Sequence, residues 1–197
     1  SGSLQYVSPW IVMCTFTIFI FLLDDFSKYW VHRWMHKWPI LWALHKVHHS
    51  AEVLTPLTVY RTHPLEGIVF TIRGTFTQGI SISSFIFFFG NSVDLLTVLG
   101  ANLFLFLFNT AGSNLRHSHI GIRYWSWLEY ILISPAQHQL HHSIDHGHCN
   151  LGSFLSIWDR MSGSHLSGTK AVSLRFGLSS TGTEDVSSRL PAFPRNG

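Results

Sequence analysis

Apolar residues fall into two long runs, with short helical stripes of polar and aromatic residues between and after them. Ser1 to Leu23 contains no charged residue, and its centre, WIVMCTFTIFIFLL from Trp10 to Leu23, approaches the ~20 residues that span a bilayer. This predicts a membrane helix near residues 6–23. A cleaved leader would need a basic start and a small-residue cleavage site, and the stretch has neither. Between Arg73 and Arg116 the only charge is Asp94, and Gly90-Asn91-Ser92 divides the run into SISSFIFFF and VDLLTVLGANLFLFLF. Two further membrane helices, near residues 75–89 and 93–110, are predicted on either side of a tight turn; the first gains length if it begins near Pro64. The fold class is therefore all-α. Residues 1–165 read as one membrane domain. Residues 166–197, rich in Ser, Thr, Gly and Pro and without periodicity, read as a loose tail in which little chemistry is expected.

Composition sharpens this picture. The chain of 197 residues is 46% hydrophobic and 12% charged, about half the charge of a soluble domain. An ordinary cytosolic globule and a disordered chain are both disfavoured, because so much apolar surface must be buried in protein or lipid. A net charge of +3, scattered along the chain, excludes a nucleic-acid stripe. Cys14 and Cys149 form no CxxC, so neither a disulfide framework nor a thiolate zinc site is indicated. No Lys or Arg precedes Lys28 or occupies the Gly90 turn. One arrangement then puts every basic residue on the same side of the membrane, the cytoplasmic one.

Histidine is the anomaly. There are 14, and all but His165 fall between His32 and His63 or between His117 and His148. In DDFSKYWVHRWMHKW, four residues of helix turn through about 400°, so His32 and His36 share a face. Asp25 lies on the same stripe and is a candidate to orient an imidazole through its outer nitrogen. Pro39 ends this helix and starts the next. There His45, His48 and His49 share a face, with Glu52 one turn on. Ser134-Pro135-Ala136-Gln137 is a capping box that opens a helix carrying His138, His141 and His142, and Asp145 follows as the matching carboxylate. Eight imidazoles gathered without metal would leave many buried nitrogens unpaired, at ~1 to 3 kcal/mol each. Two metal ions with four to five ligands each would use them all. His63, before Pro64, is expected to be a further ligand, with helix capping as its alternative. His117 is preferred over His119 because two residues of helix turn through about 200°. His146 and His148 stay open, and His165 is expected to be solvated.

Neutral imidazoles suit iron, zinc and copper alike. A dimetal cluster beside apolar helices is placed to act on a lipid, and an unactivated C–H bond needs an oxidant that side chains cannot supply. The alternative is a non-redox zinc protein, either a lipid hydrolase or a metal carrier. A carrier would place ionisable ligands inside its spans, whereas here the histidines lie outside them.

The segments HRWMH, HKVHH and HQLHH, in that order between hydrophobic spans, resemble the histidine boxes of the membrane fatty acid hydroxylase and sterol desaturase superfamily. DFSKYWVHRWMH, RTHPLE and NLGSFLSIWDRMSGS match as well, so the likeness runs from about Asp25 to Ser164. It implies membrane helices with a cytosolic helical cap holding two iron ions, zinc being the substitute. It also implies O2-dependent hydroxylation or desaturation of a sterol or acyl lipid, and a histidine before the last box that matches His117. The ligands it implies are His32, His36, His45, His48, His49, His138, His141 and His142. Leu151, Ser162 and Ser164 depart from its usual residues. With no haem domain in the sequence, electrons are expected from a separate donor, a cytochrome b5-like protein or a ferredoxin and its reductase. The Ser-Gly-Ser opening and the lack of an earlier membrane segment read as a truncated chain.

Overall fold

The computed structural model describes residues 7–90 and 93–178. Helix α1 runs unbroken over Pro9–Lys37, with Pro9 at its start. The apolar run and the first histidine box are thus one rod of ~43 Å, because no glycine or proline interrupts the chain before Pro39. Trp38, held extended ahead of that proline, separates α1 from α2 (Pro39–His49). A 3-10 turn at Pro56–Tyr60 leads to α3 (Pro64–Phe89). Helix α4 (Leu95–Arg116) is capped by Asp94, whose carboxylate accepts from the Thr97 backbone N–H at 2.8 Å. Three short helices complete the path: α5 (Ser126–Glu129), α6 (Pro135–His142) and α7 (Ile157–Met161). Among the described residues there are only isolated bridges and no β-strand, so the all-α expectation holds. Asn91 and Ser92 of the expected turn, the beginning of the first predicted span and residues 179–197 of the tail lie outside the described residues.

Val12, Phe16 and Ile20, one α1 stripe at four-residue spacing, pack against Phe85 of α3 and against Ala101 and Leu105 of α4. The remaining apolar faces point outward, for example Trp10, Phe76, Phe87, Leu96 and Phe106. Helices α1 and α4 are long and apolar enough to cross a membrane, yet only 22% and 17% of their most apolar windows are buried. A core helix of a soluble protein would be mostly covered, so these faces suit lipid contact. Helix α3 has similar length, but Arg73, Gln78 and its hydroxyl residues dilute its hydropathy.

A polar layer crosses the three long helices between this apolar end and the histidines. The Asp24 carboxylate takes Lys28 Nζ at 2.7 Å and Arg73 Nη1 at 2.8 Å. Lys28 also donates to Asn109 Oδ1 at 2.7 Å, and the hydroxyls of Ser27 and Thr77 meet at 3.2 Å. These ties fix the register of α1, α3 and α4 just before the chain reaches its chemistry.

Contrary to the sequence expectation, the tail begins as packed structure. Glu129 accepts from Ser167 Oγ at 3.1 Å and from the Gly168 N–H at 2.9 Å, and Ile144 N donates to Arg175 O at 2.9 Å. His165, expected to be solvated, is half-buried: its ring stacks on Tyr130 and its Nε2 lies 3.1 Å from Gln137 Nε2.

Candidate metal centre

Nine imidazoles meet where α1, α2, α6 and the C-terminal end of α4 converge, and they sort into two groups able to hold a metal ion. His32, His36, His45, His49 and His141 form the first; His48, His117, His138 and His142 form the second. Within each group the available ligand atoms lie within 4.8 Å of one another. The α2 and α6 histidine boxes are each divided between the groups. Helix α2 sends His45 and His49 to one and His48 to the other, while α6 sends His141 to the first and His138 and His142 to the second.

The ring nitrogens that face inward lie close to one another. His32 Nε2 lies 3.0 Å from His45 Nε2 and 3.2 Å from His36 Nε2. His117 Nε2 lies 3.1 Å from His48 Nε2 and 3.0 Å from His138 Nε2. Spacings near 3 Å are what nitrogens show when each stands about 2.1 Å from a common ion. The outward nitrogens settle the tautomers. His32 Nδ1 donates to Leu151 O at 2.7 Å, His141 Nδ1 to Cys149 O at 3.0 Å, and His117 Nδ1 to Ser113 O at 2.7 Å. A carbonyl oxygen can only accept, so in each neutral ring the proton sits on Nδ1 and Nε2 presents a bare lone pair.

Burial keeps the rings neutral. It drives His48, His49, His138, His141 and His142 well below the usual histidine range, and His117 down to about 4. His48 Nδ1, His49 Nε2, His138 Nδ1 and His141 Nε2 are buried without a hydrogen-bond partner. Converging lone pairs repel, and orphaned buried nitrogens cost free energy. A cation in each group relieves the repulsion between the inward nitrogens and gives His49 Nε2 and His141 Nε2 a partner, while the orphaned Nδ1 atoms of His48 and His138 belong to rings whose Nε2 faces inward; the inward nitrogens thus fit a dimetal centre.

The carboxylate that orients a ring is Glu66, which the sequence reading did not single out. It is buried in the first turn of α3, and its Oε1 accepts from His45 Nδ1 at 2.8 Å. Its only sequence signal was its place in RTHPLE. His63 stands outside both groups: it caps α3, its Nδ1 accepting from the Leu65 N–H at 3.2 Å, so the capping alternative is the one observed. Among the described residues Asp25 has no imidazole as a hydrogen-bond partner. Its oxygens accept from Phe154 N at 2.9 Å, Leu155 N at 3.0 Å and Trp158 Nε1 at 2.9 Å, fixing the segment whose Leu151 carbonyl holds His32. Glu52 is exposed beyond the end of α2, and Asp145 is exposed and pairs with Arg175 at 3.5 Å. Neither reaches the rings, because helix α2 stops at His49 and α6 at His142, so no further turn continues the stripe. His119 is exposed, and His146 and His148 lie half-buried in the loop after α6.

The departures Ser162 and Ser164 form a local network. Ser162 Oγ bonds the Tyr29 hydroxyl, and Ser164 Oγ donates to the buried Asp159 carboxylate at 2.6 Å. Asp159 also accepts from the N–H groups of Leu151 and Gly152 at 2.8 and 2.7 Å. The histidines border a cavity of about 240 Å³, which His32, His45, His48, His117 and His138 share with Lys28, Glu66 and Arg116.

A model of a family described as fatty acid hydroxylase matches residues 17–164. A Delta(7)-sterol 5(6)-desaturase of Gibberella zeae is 30% identical over 162 residues, covering 82% of this chain and 44% of its own length. A second from that organism is 31% identical over 165 residues, covering 79% and 39%. One from Aspergillus fumigatus is 31% identical over 162 residues, covering 80% and 39%. The chain thus spans about two fifths of the length of these curated relatives. No solved structure matches.

Proposed function

The chain belongs to the fatty acid hydroxylase family, and from that membership we propose that it is a membrane-bound di-iron oxidoreductase that uses O2 to hydroxylate or desaturate a lipid C–H bond. The observation that carries the reading is the pair of interleaved imidazole groups with bare nitrogens turned inward. The proposed ligands are His32, His36, His45, His49 and His141 for one ion and His48, His117, His138 and His142 for the other. Bound iron would supply the oxygen activation and electron transfer that side chains lack.

The chain's own residues do the rest. Glu66 holds the Nδ1 proton of His45, as Ser113 O holds that of His117, keeping each ring's other nitrogen basic and aimed. The exposed apolar faces of α1 and α4 keep the centre next to lipid, and the relatives' names favour a sterol or similar lipid as substrate. The histidine end faces the cytoplasm in this reading, since no Lys or Arg lies between Arg73 and Arg116 and the α3–α4 turn is free of them. A separate protein delivers electrons. The zinc-hydrolase alternative loses its candidate bases, because Glu52 and Asp145 lie away from the rings and Glu66 is engaged by His45.

The test is metal analysis of protein purified without oxygen from iron-supplemented cells, followed by oxygen uptake with a reductant and a panel of lipids. Two irons per chain and lipid-dependent oxygen uptake are expected. Tightly held zinc without uptake would overturn the reading.

A further inference from the structure

Two cations reach the cavity beside the histidines, and they differ in what they have left to give. Lys28 is engaged by Asp24 and Asn109, each at 2.7 Å. Arg116, only 5% exposed, has one side-chain hydrogen bond among the described residues, from Nη2 to Ser113 Oγ at 3.4 Å, against the five N–H donors of a guanidinium. Its flat face is taken by the Phe154 ring, 4.1 Å away. The backbone makes room for this stack: a Cβ on Gly112 would come within 2.6 Å of that ring and 3.0 Å of Arg116 Nη1. Asp25 lies near enough to offset the charge, but its oxygens serve Phe154 N, Leu155 N and Trp158 Nε1. A stacked guanidinium that lines a cavity presents its edge to whatever acceptor enters there.

We propose that Arg116 is a binding residue for an oxygen acceptor on the lipid, a hydroxyl, carbonyl or carboxylate oxygen. The size of the cavity sets how much of a lipid can enter. Arg116 precedes His117 and shares with it a cavity of about 240 Å³, smaller than the ~300 to 1,000 Å³ that takes up a drug-sized ligand whole. Only the polar end of a lipid fits there. An adjoining cavity of about 330 Å³ shares Lys28, Val59, Phe70, Ser113 and Ser153 with the first and adds space for the remaining chain. This inference rests on the lipid reading above for its ligand class, but not on the metal or on turnover.

The test is equilibrium binding to the intact protein in nanodiscs, read by quenching of tryptophan fluorescence by brominated probes and their displacement. Two pairs of competitors are compared: a sterol with the sterane lacking its hydroxyl, and a fatty acid with the matching alkane. The wild-type protein should prefer the oxygenated member of at least one pair by roughly tenfold or more, as expected of a charge-assisted hydrogen bond; which pair responds separates a hydroxyl from a carboxylate ligand. Arg116→Met should erase that preference while hydrocarbon affinity stays unchanged, and Arg116→Lys should restore part of it. Equal weakening of both members, or a preference that survives in Arg116→Met, overturns the proposal. So does a wild-type protein without any preference, a result that needs no variant to fold. Oxygen preference in a protein that never consumes O2 would sustain this inference and refute the redox reading.

Discussion

Glu66 Oε1 stands 2.8 Å from His45 Nδ1, joining the first turn of α3 to the middle of α2 across a contact buried on both sides. A carboxylate in this position raises the ligand strength of the opposite ring nitrogen and fixes the ring plane. Glu66→Ala should weaken metal binding in the five-histidine group roughly 10 to 100-fold. Glu66→Gln, which keeps an acceptor, should lose less. Titration of metal-free protein with Fe(II) or Zn(II) checks this: one tight and one weakened site are expected in Glu66→Ala, and two unaltered sites would refute it.

The sequence predicts both His63 and His117 as ligands, and the two lie in different settings, His117 among four imidazoles and His63 at the start of α3. His63→Ala should remove a helix cap, costing about 0.5 to 2 kcal/mol of stability with metal content unchanged. His117→Ala should empty or weaken one site, because it removes one of four nitrogens from its group. Metal-to-protein ratios of the two variants, measured beside thermal unfolding in detergent, should move in opposite patterns.

Asp25 binds the α1 rod to the segment after the third box through three N–H donors. Asp25→Asn leaves one oxygen and points an NH2 group at a donor. Each orphaned donor costs about 1 to 3 kcal/mol, so the variant should unfold at a clearly lower temperature even without metal. Asp145→Asn, on an exposed pair, should stay within about 0.5 kcal/mol of the parent. Similar unfolding temperatures for both variants would contradict the assignment.

Burial pushes the Asp159 carboxyl up to about 6, despite the donors around it. Between about pH 4 and 6 the folded chain therefore holds a proton that the unfolded chain has released. Stability from this group is greatest at the acid end and falls as pH rises through that window, by about 3 kcal/mol at most. Wild-type protein should gain stability relative to Asp159→Asn when the pH drops from about 7 to about 5. Parallel curves for the two proteins would exclude this linkage.

Much of the centre was legible because helical periodicity is local. The i, i+4 spacing of His32 and His36 put both on one face, and both indeed enter one group. Ser134 and Gln137 form the expected capping box, with Ser134 N donating to Gln137 Oε1 at 3.0 Å and Gln137 N to Ser134 Oγ at 3.2 Å. The apolar stripe Val12, Phe16 and Ile20 was likewise readable as a helix face within a membrane-length run.

What periodicity cannot give is the angle and depth at which one helix meets another. His45, His48 and His49 share a face of α2, yet His48 belongs to a different group, because it meets His117 at the end of α4 and His138 and His142 of α6, while His45 and His49 meet His32 and His36 of α1 and His141 of α6. The same limit explains the carboxylates. A stripe on one helix nominated Asp25, Glu52 and Asp145, while the ring of His45 is met by Glu66 from α3, well along the chain. The sequence alone determined which residue types share each helix face, since 3.6 residues per turn is a property of the backbone. The pairing of imidazoles into two groups, the partner of each outer nitrogen and the cation left facing the cavity were decided by the tertiary structure, since they depend on packing between helices distant in sequence.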